Sequence, residues 1–401
     1  MRGETILCVA YLDWHGLWRS NQQIISRIAA QNRVFYFEPG RTTDKIFSVE
    51  IIRKLPNLFK VQPQQLHENL ILVPTPPSLP LARQLLPRSV LQITTPLITK
   101  MNAFILIRQI RRTMSVFNVA HPILWLYDPH HFQLVGQFGE KLSCYYNHDE
   151  VADITPNARI RDLVQRFDDS LSSRVDVVFA TSSAQCKRRK KLNPNAYFIP
   201  NGVDFELFNR ALTSDLPLPV DMDLIPRPII GFAGWLSYHI DVCLLCRLAE
   251  AYPDCSLVLV GPDELSNSKD TKRLRSLPNV FFLGRKDRTE LPSYLRAFDV
   301  ALMPWQLTGH ILSAYPLKLH EYLAAGRSIV ATALPELVPY NHLIRITQTH
   351  EEFIGCIPDA LEDHDPAAIQ ARVATARKNT WDHRVTEIHD ILDRQLSNSQ
   401  G

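Results

Sequence analysis

Short apolar runs alternate with longer stretches of helical spacing along the whole chain, and the runs carry little internal polar alternation. In the first half they read "TILCVAY", "RVFYF", "LILVP", "PILWLYD", "LSCYYN", "DVVFATS" and "AYFIP"; in the second, "PIIGFAG", "CSLVLVGP", "NVFFLG", "DVALMPW", "RSIVAT" and "LIRIT". Runs of this kind between helices mark parallel strands buried on both faces, so the pattern predicts an α/β protein. The pattern occurs twice. Between its two occurrences "RALTSDLPLPVDMDLIPRP" (Arg210 to Pro228) is rich in proline and has no helical or alternating period, which predicts a linker. The expected organisation is one Rossmann-like domain over 1–209, the linker at 210–228 and a second Rossmann-like domain over 229–375. A helix and tail at 376–401, with Val385, Ile388, Ile391 and Leu392 at helical spacing, are expected to pack back on the first domain.

Two local patterns sharpen this picture. In "PLKLHEYLAAGRSIVAT" Pro316 suits a first helical position and Gly326 a left-handed stop, predicting a short helix that leads directly into a strand. On that helix Lys318, Glu321, Tyr322 and Ala325 share a face, while Leu319 and Leu323 point into packing. A simple i,i+3 ion pair is the alternative for Lys318 and Glu321. Further upstream, "LITKMNAFIL" followed by "IRQIRRTM" predicts a helix apolar on one side, with Lys100, Arg108, Arg111 and Arg112 on the other. Such a helix can lie on an anionic bilayer, as can the cation run in "CKRRKKLNP" (Cys186 to Pro194); a solvated helix face is the alternative for both.

The chain has 401 residues, 45% of them hydrophobic, enough for two ordinary domains. Its 44 basic and 41 acidic residues leave a formal charge of +3, which gives no global field for nucleic acid. Seven cysteines without a repeated spacing fit a reducing compartment. The opening "MRGETILCVAYLDW" runs directly into a strand with no signal pattern, so the expected location is the cytoplasm, with the inner face of the membrane an option that the two basic stretches leave open.

Several chemistries are disfavoured. The dinucleotide fingerprint is absent, "GFAG" (Gly231 to Gly234) being a fragment of it, and there is no phosphate-binding G-x-x-x-x-G-K-[ST] loop. In "YDPHHF" Asp128, His130 and His131 invite a metal reading, but adjacent histidines rarely point the same way and no further ligand is indicated; a strand-end loop, with His130 as a cleft candidate, is expected. "CLLC" (Cys243 to Cys246) lies in an apolar helical run with no partner pair, which reads as packing. No metal site is expected. In a pair of Rossmann-like halves the chemistry belongs in the loops at the carboxyl ends of the strands, at the cleft between the halves.

The runs "YFIPNGVDFELF", "IIGFAGWL", "LVLVGP", "NVFFLGRKDRTELPSYLRAFDVALMPW" and "PLKLHEYLAAGRSIVAT" resemble, in order and spacing, GT-B glycosyltransferases of the family 4 (group 1) type. "NTWDHRVTEI" is similar to the matching stretch of a bacterial subgroup resembling teichuronic acid biosynthesis transferases. The resemblance implies two facing Rossmann-like domains with an inter-domain cleft, and transfer of a sugar from a nucleotide diphosphate sugar of UDP or GDP type to an acceptor hydroxyl. It further implies a hexosyltransferase-type, retaining reaction that needs no cofactor and no metal, in cell-surface polysaccharide or glycolipid synthesis. A lipid-linked saccharide is the implied acceptor, with peripheral contact to an anionic membrane.

Residue by residue, the resemblance assigns Glu321 to the ribose hydroxyls, which a carboxylate can accept from in pairs. Lys318, with the N–H groups around Pro316 and Leu317, would meet the diphosphate, whose charge grows as the glycosidic bond breaks. Gly234 and Arg285 complete the donor side. Gly16 and Arg19, in the loop after the first strand, are cleft candidates. Asp149 and Glu150, with His148 before them, end a strand and are candidates to orient or deprotonate the acceptor hydroxyl. The sequence departs from the family pattern in having Ser313 where a second glutamate is usual, and in lacking an arginine and a lysine in "GFAGWLSYHID". Two other readings stay open: an epimerase of the same fold acting on the nucleotide sugar alone, and a non-catalytic GT-B assembly partner.

Overall fold

The computed structural model describes residues 1–16, 18–40, 63–79, 88–147, 160–213 and 216–398. By contacts the chain divides into two compact units, Met1–Pro200 with Arg384–Gly401, and Asn201–His383.

Unit 1 is built on β1 (Thr5–Val9), β2 (Arg33–Phe37), β3 (Gln64–His67), β4 (Leu70–Val73), β5 (Ile123–Leu126), β6 (Leu142–Asn147), β7 (Val177–Ala180) and β8 (Ala196–Phe198). They form a sheet of order β3-β4-β2-β1-β5-β6-β7-β8, parallel except for the edge strand β3. Its helices include α1 (Ser20–Ala29), α2 (Arg88–Val116), α3 (Arg161–Arg174) and α4 (Ser183–Arg189). Apart from β3, these strands coincide with the apolar runs. β3 has the sequence "QQLH", mostly exposed on the sheet edge, and carries no hydrophobic signature.

In unit 2, α5 (Phe205–Asn209) precedes β9 (Ile229–Ala233), α6 (Val242–Ala251), β10 (Ser256–Val260), α7 (Lys269–Ser276), β11 (Val280–Gly284), α8 (Leu291–Ala297) and β12 (Val300–Met303). Then follow α9 (Lys318–Ala324), β13 (Ser328–Thr332), β14 (Arg345–Thr347), α10 (His350–Gly355), α11 (Ile357–Leu361) and α12 (Pro366–Lys378). The sheet order is β11-β10-β9-β12-β13-β14, all parallel. This is the doubly wound order in which the third, second and first strands are followed by the fourth, fifth and sixth. The last helix, α13 (Trp381–Asn398), returns the chain to unit 1, where the N-terminal ammonium meets Asp393 at 2.5 Å.

Three expectations need correction. Residues 210–228, expected as a linker, belong to unit 2: Ala211, Met222 and Ile225 are buried in its core, and Asp221 accepts from Lys286 Nζ (2.6 Å) and the Tyr294 hydroxyl (2.9 Å). Prolines there shape an irregular but packed segment. The helix α2 is apolar on two faces rather than one, since Ala103, Leu106 and Ile110 enter the core while Ile93, Leu97 and Phe104 are exposed. Finally, the cation run at 187–191 is not a uniformly solvated face, because Arg189 is fully buried against Asp168 at 2.5 Å.

Candidate active site

In a doubly wound sheet, ligands settle at the carboxyl ends of the strands where the winding direction reverses. In unit 2 that point lies between β9 and β12, and the segment after β9 is tightly anchored. Gly234 N–H donates to the Val260 carbonyl (2.8 Å), Leu236 N–H to the Pro262 carbonyl (2.9 Å) and Asp241 N–H to the Pro304 carbonyl (2.8 Å). A side chain at Gly261, whose φ is +143°, would meet the Gly234 carbonyl oxygen, so the two loop backbones lie in direct contact.

Helix α9 locks onto this strand end. Tyr322, fully buried, accepts from the Ala233 N–H at 2.9 Å and donates to the Ala233 carbonyl at 3.3 Å. Burial pushes its phenol far above the ordinary range, so it remains a neutral donor and acceptor. Four residues earlier, the Lys318 stem crosses Gly234, where an added Cβ would lie 3.1 Å from Lys318 Cε and 2.7 Å from Phe232 Cζ. Lys318 Nζ then donates to Glu321 Oε2 at 2.7 Å. Both side chains are about four-fifths buried, with relative exposures of 19% and 17%. The pair is therefore not a solvated surface contact: it holds a cation and an anion over a glycine at the switch point.

The N-terminal boundary of α9 differs from expectation. The helix begins at Lys318 with Leu317 as its cap position, so Pro316 lies ahead of the helix rather than in its first turn. Pro316 is buried and Leu317 half-buried. The stop is as the pattern predicts, with Gly326 at φ +65°. Arg285 is exposed just after β11 and two strands from β9, about 10 Å at ordinary strand spacing. Ser313 ends a short 3-10 turn (Gly309–Ser313) and is half-buried.

Sequence reasoning missed a second set of groups at the same switch point. Ser237 Oγ and His239 Nδ1 lie 2.7 Å apart, and the His239 ring packs 4.8 Å from Trp305, in the segment after β12. Their signal lay in "GFAGWLSYHID", which contains Ser237 and His239 although it lacks the usual arginine and lysine.

Unit 1 has its own reversal, between β1 and β5. The loop after β1 is pinned by Tyr36, which donates to the Leu12 carbonyl (2.7 Å) and accepts from Asn21 Nδ2 (2.8 Å). Gly16 is exposed in a turn closed on the Asp13 carbonyl at 3.3 Å, and Arg19, half-buried, caps α1 with its N–H donated to Gln22 Oε1 at 3.0 Å. After β5, His130 Nδ1 meets Asp128 Oδ1 at 2.7 Å, and the same carboxylate accepts the His130 N–H at 2.9 Å. Burial alone would depress the imidazole, but the Asp128 charge and hydrogen bond, with Asp168 behind, leave its pKa above the ordinary value. Burial also works against the Asp128 carboxylate, which the two histidines nevertheless hold well below the usual carboxylate range. His131, by contrast, is pushed down by burial. The raised pKa favours the protonated form of His130, in which both ring nitrogens are hydrogen-bond donors suited to an oxygen-rich ligand. Among the described residues no cluster of His, Cys, Asp and Glu is arranged to hold a metal ion. The acceptor-side candidates His148, Asp149 and Glu150 lie outside the described residues.

Comparison with known proteins bears on both units. Residues 227–363 match the family described as "Glycosyl transferases group 1". The chain is 29% identical over 196 residues to a Bacillus subtilis (strain 168) protein named as a teichuronic acid biosynthesis glycosyltransferase, TuaH. That match covers 46% of this chain and 47% of the relative, so the chain matches about half the length of its curated relative. Among solved structures, a sucrose-phosphate synthase from Thermosynechococcus elongatus superposes with TM-score 0.69 at 18% identity, covering 99% of this chain and 100% of that one. An α,α-trehalose 6-phosphate synthase from Burkholderia multivorans gives 0.67 at 13% identity over all of both chains. An E. coli trehalose-6-phosphate protein bound to UDP-2-fluoro glucose gives 0.65 at 12% identity, over 97% and 99%. The chain has the fold of GT-B glycosyltransferases, and its residues 227–363 are similar to the group 1 glycosyltransferase family.

Proposed function

We propose that the protein transfers a sugar from a nucleotide diphosphate sugar to an acceptor hydroxyl, with the donor held by unit 2 and the acceptor by unit 1. The observation that carries the reading is the largely buried Lys318 and Glu321 pair, set over Gly234 at the switch point of the unit similar to the group 1 glycosyltransferase family. On donor binding Glu321 exchanges its lysine partner for vicinal ribose hydroxyls, and Lys318 turns to the diphosphate. In the reaction the bond between the anomeric carbon and the diphosphate oxygen breaks and the acceptor oxygen takes its place. The acceptor proton passes to a general base, for which His148, Asp149 and Glu150 are the candidates the sequence offers, and the negative charge collects on the departing nucleotide. A nearby cation is stabilising there because that charge is larger in the transition state than in the bound donor.

The finer parts of the reading are a hexosyl donor of UDP or GDP type, retention of anomeric configuration, and no resident cofactor. The similarity to a protein named for teichuronic acid biosynthesis supports a cell-envelope polysaccharide or glycolipid as product, a lipid-linked saccharide as acceptor, and a site of action at the inner face of the membrane. The test is release of free nucleoside diphosphate from UDP- or GDP-sugars in the presence of a membrane lipid extract. Release that needs both the extract and an intact Glu321 supports transfer. Conversion of the sugar with donor alone would move the assignment to an epimerase, and absence of both would leave an assembly role.

A further inference from the structure

We infer that the outward face of α2 seats unit 1 on an anionic membrane surface, a role independent of the sugar-transfer assignment. The helix has 29 residues, about 43 Å at the usual rise. At about 100° per residue its residues fall on two opposed stripes. Leu91, Thr95, Thr99, Ala103, Leu106 and Ile110 are buried, and three of them lie in the core of unit 1. About 180° away, Val90, Ile93, Leu97, Met101 and Phe104 form a second apolar stripe that is open to solvent, with Ile93 74% and Phe104 67% exposed. Large apolar side chains rarely line up on a solvent-facing helix, where Glu, Lys or Gln would serve propensity better; a contiguous patch of this kind marks a surface that is covered in use.

The charges around the stripe say what covers it. Lys100, Arg108, Arg111 and Arg112 are exposed on the same half of the helix, and Arg88 to Val116 contains no aspartate or glutamate. Leu97, Lys100, Met101, Phe104 and Ile105 line one shallow depression, so a cationic tip sits at the edge of an apolar floor. Long basic side chains can keep their charge at headgroup level while their stems cover apolar surface, and an interface of acyl chain below and phosphate above complements both parts. Ser89–Val116 is also, by length and apolar composition, capable of crossing a membrane. Its other face is committed to the sheet of unit 1, however, so the helix lies along the bilayer rather than through it.

Flotation of the full chain with vesicles of mixed phosphatidylglycerol and phosphatidylcholine tests this. The wild type should float with these vesicles at low salt and much less at about 1 M salt, where charges are screened beyond about 3 Å. Pure phosphatidylcholine vesicles should hold it weakly. Replacing Ile93, Leu97 and Phe104 together by serine should lower partitioning by at least about tenfold, with an unchanged circular dichroism spectrum and melting curve because all three are surface residues. Lys100→Gln and Arg108→Gln should cost about fivefold each. In Leu97→Trp, tryptophan emission should shift to the blue when anionic vesicles are added. Failure of the wild type to float at low salt, or full retention of binding by the triple-serine protein, would overturn the inference. So would a wild-type dimer that the triple substitution splits without any vesicle binding, since a second copy would then be the occupant. Resistance of the bound protein to alkaline extraction would overturn it too, by showing a span.

Discussion

Replacing Tyr322 by phenylalanine isolates the one hydroxyl that ties α9 to the carboxyl end of β9. The ring fills the same buried space, so packing is retained, while the Ala233 N–H loses its acceptor at 2.9 Å. A buried amide left without a partner costs about 1–3 kcal/mol, and the lost 3.3 Å donation to the Ala233 carbonyl adds little. A central value of about 2 kcal/mol corresponds to about 4–8 °C in the melting temperature of a domain this size. Because the two units need not unfold together, the cleaner readout is amide hydrogen exchange in a peptide covering Ile229 to Asp241. Where β9 opens by sub-global unfolding, its protection should fall by about thirtyfold, the equivalent of about 2 kcal/mol at the β9 end. Nucleotide affinity should fall with it, since Gly234 and the Lys318 stem are positioned by the same contact. A change in protection below about threefold, with an unchanged melting temperature, would refute the claim that this hydroxyl holds the site together.

Three further outcomes follow from the geometry. Gly261→Ala puts a Cβ 1.8 Å from the Gly234 carbonyl oxygen at a φ of +143°, and should reduce soluble yield and destabilise unit 2 by more than about 3 kcal/mol in denaturant titrations. Asp168→Ala removes the nearer of the two carboxylates paired with a fully buried Arg189 and should destabilise unit 1 by about 3–5 kcal/mol in urea unfolding. Asp128→Asn should move the His130 titration, followed by imidazole NMR, from above the ordinary histidine value to below it, because burial then outweighs the smaller remaining pull of the Asp168 charge. The raised His130 contributes stability that is full below about pH 6.5 and fades as pH rises through its folded value; the depressed Asp128 contributes above about pH 3.9 and fades as pH falls. The stability difference between wild type and Asp128→Asn should therefore be largest between these limits and shrink on either side.

The strand skeleton was legible because parallel strands buried on both faces must be continuously apolar, and β1 or β10 can hardly be read otherwise. β3 was not legible: an edge strand satisfies its hydrogen bonds from one side only and needs no apolar content, which "QQLH" lacks. Charge runs misled in a related way, since sequence alone does not show that Arg189 turns inward to Asp168. Helical period failed for α2 because two apolar stripes on opposite faces cancel the asymmetry that marks an amphipathic helix. At the site, Lys318, Glu321 and the Gly326 stop were readable from one short helix and its neighbouring strand. Tyr322 was assigned to the right face, but its hold on Ala233 depends on a contact 89 positions away in sequence that no local pattern records. A comparably long gap in sequence separates Gly234 from the lysine that covers it, while Arg285 follows a strand at the far edge of the sheet.

The central claim is that Glu321 and Lys318 hold a nucleotide. It is tested most directly by a thermal-shift panel of UDP, GDP, ADP and CMP with their sugar conjugates, run on the wild type and on Glu321→Ala. At about a hundred times its dissociation constant a ligand stabilises the native state by about 2.7 kcal/mol. The account predicts that one nucleotide family raises the melting temperature of the wild type by several degrees and leaves Glu321→Ala unmoved. A shift of equal size in both proteins, or no shift with any nucleotide in folded wild type, would contradict it.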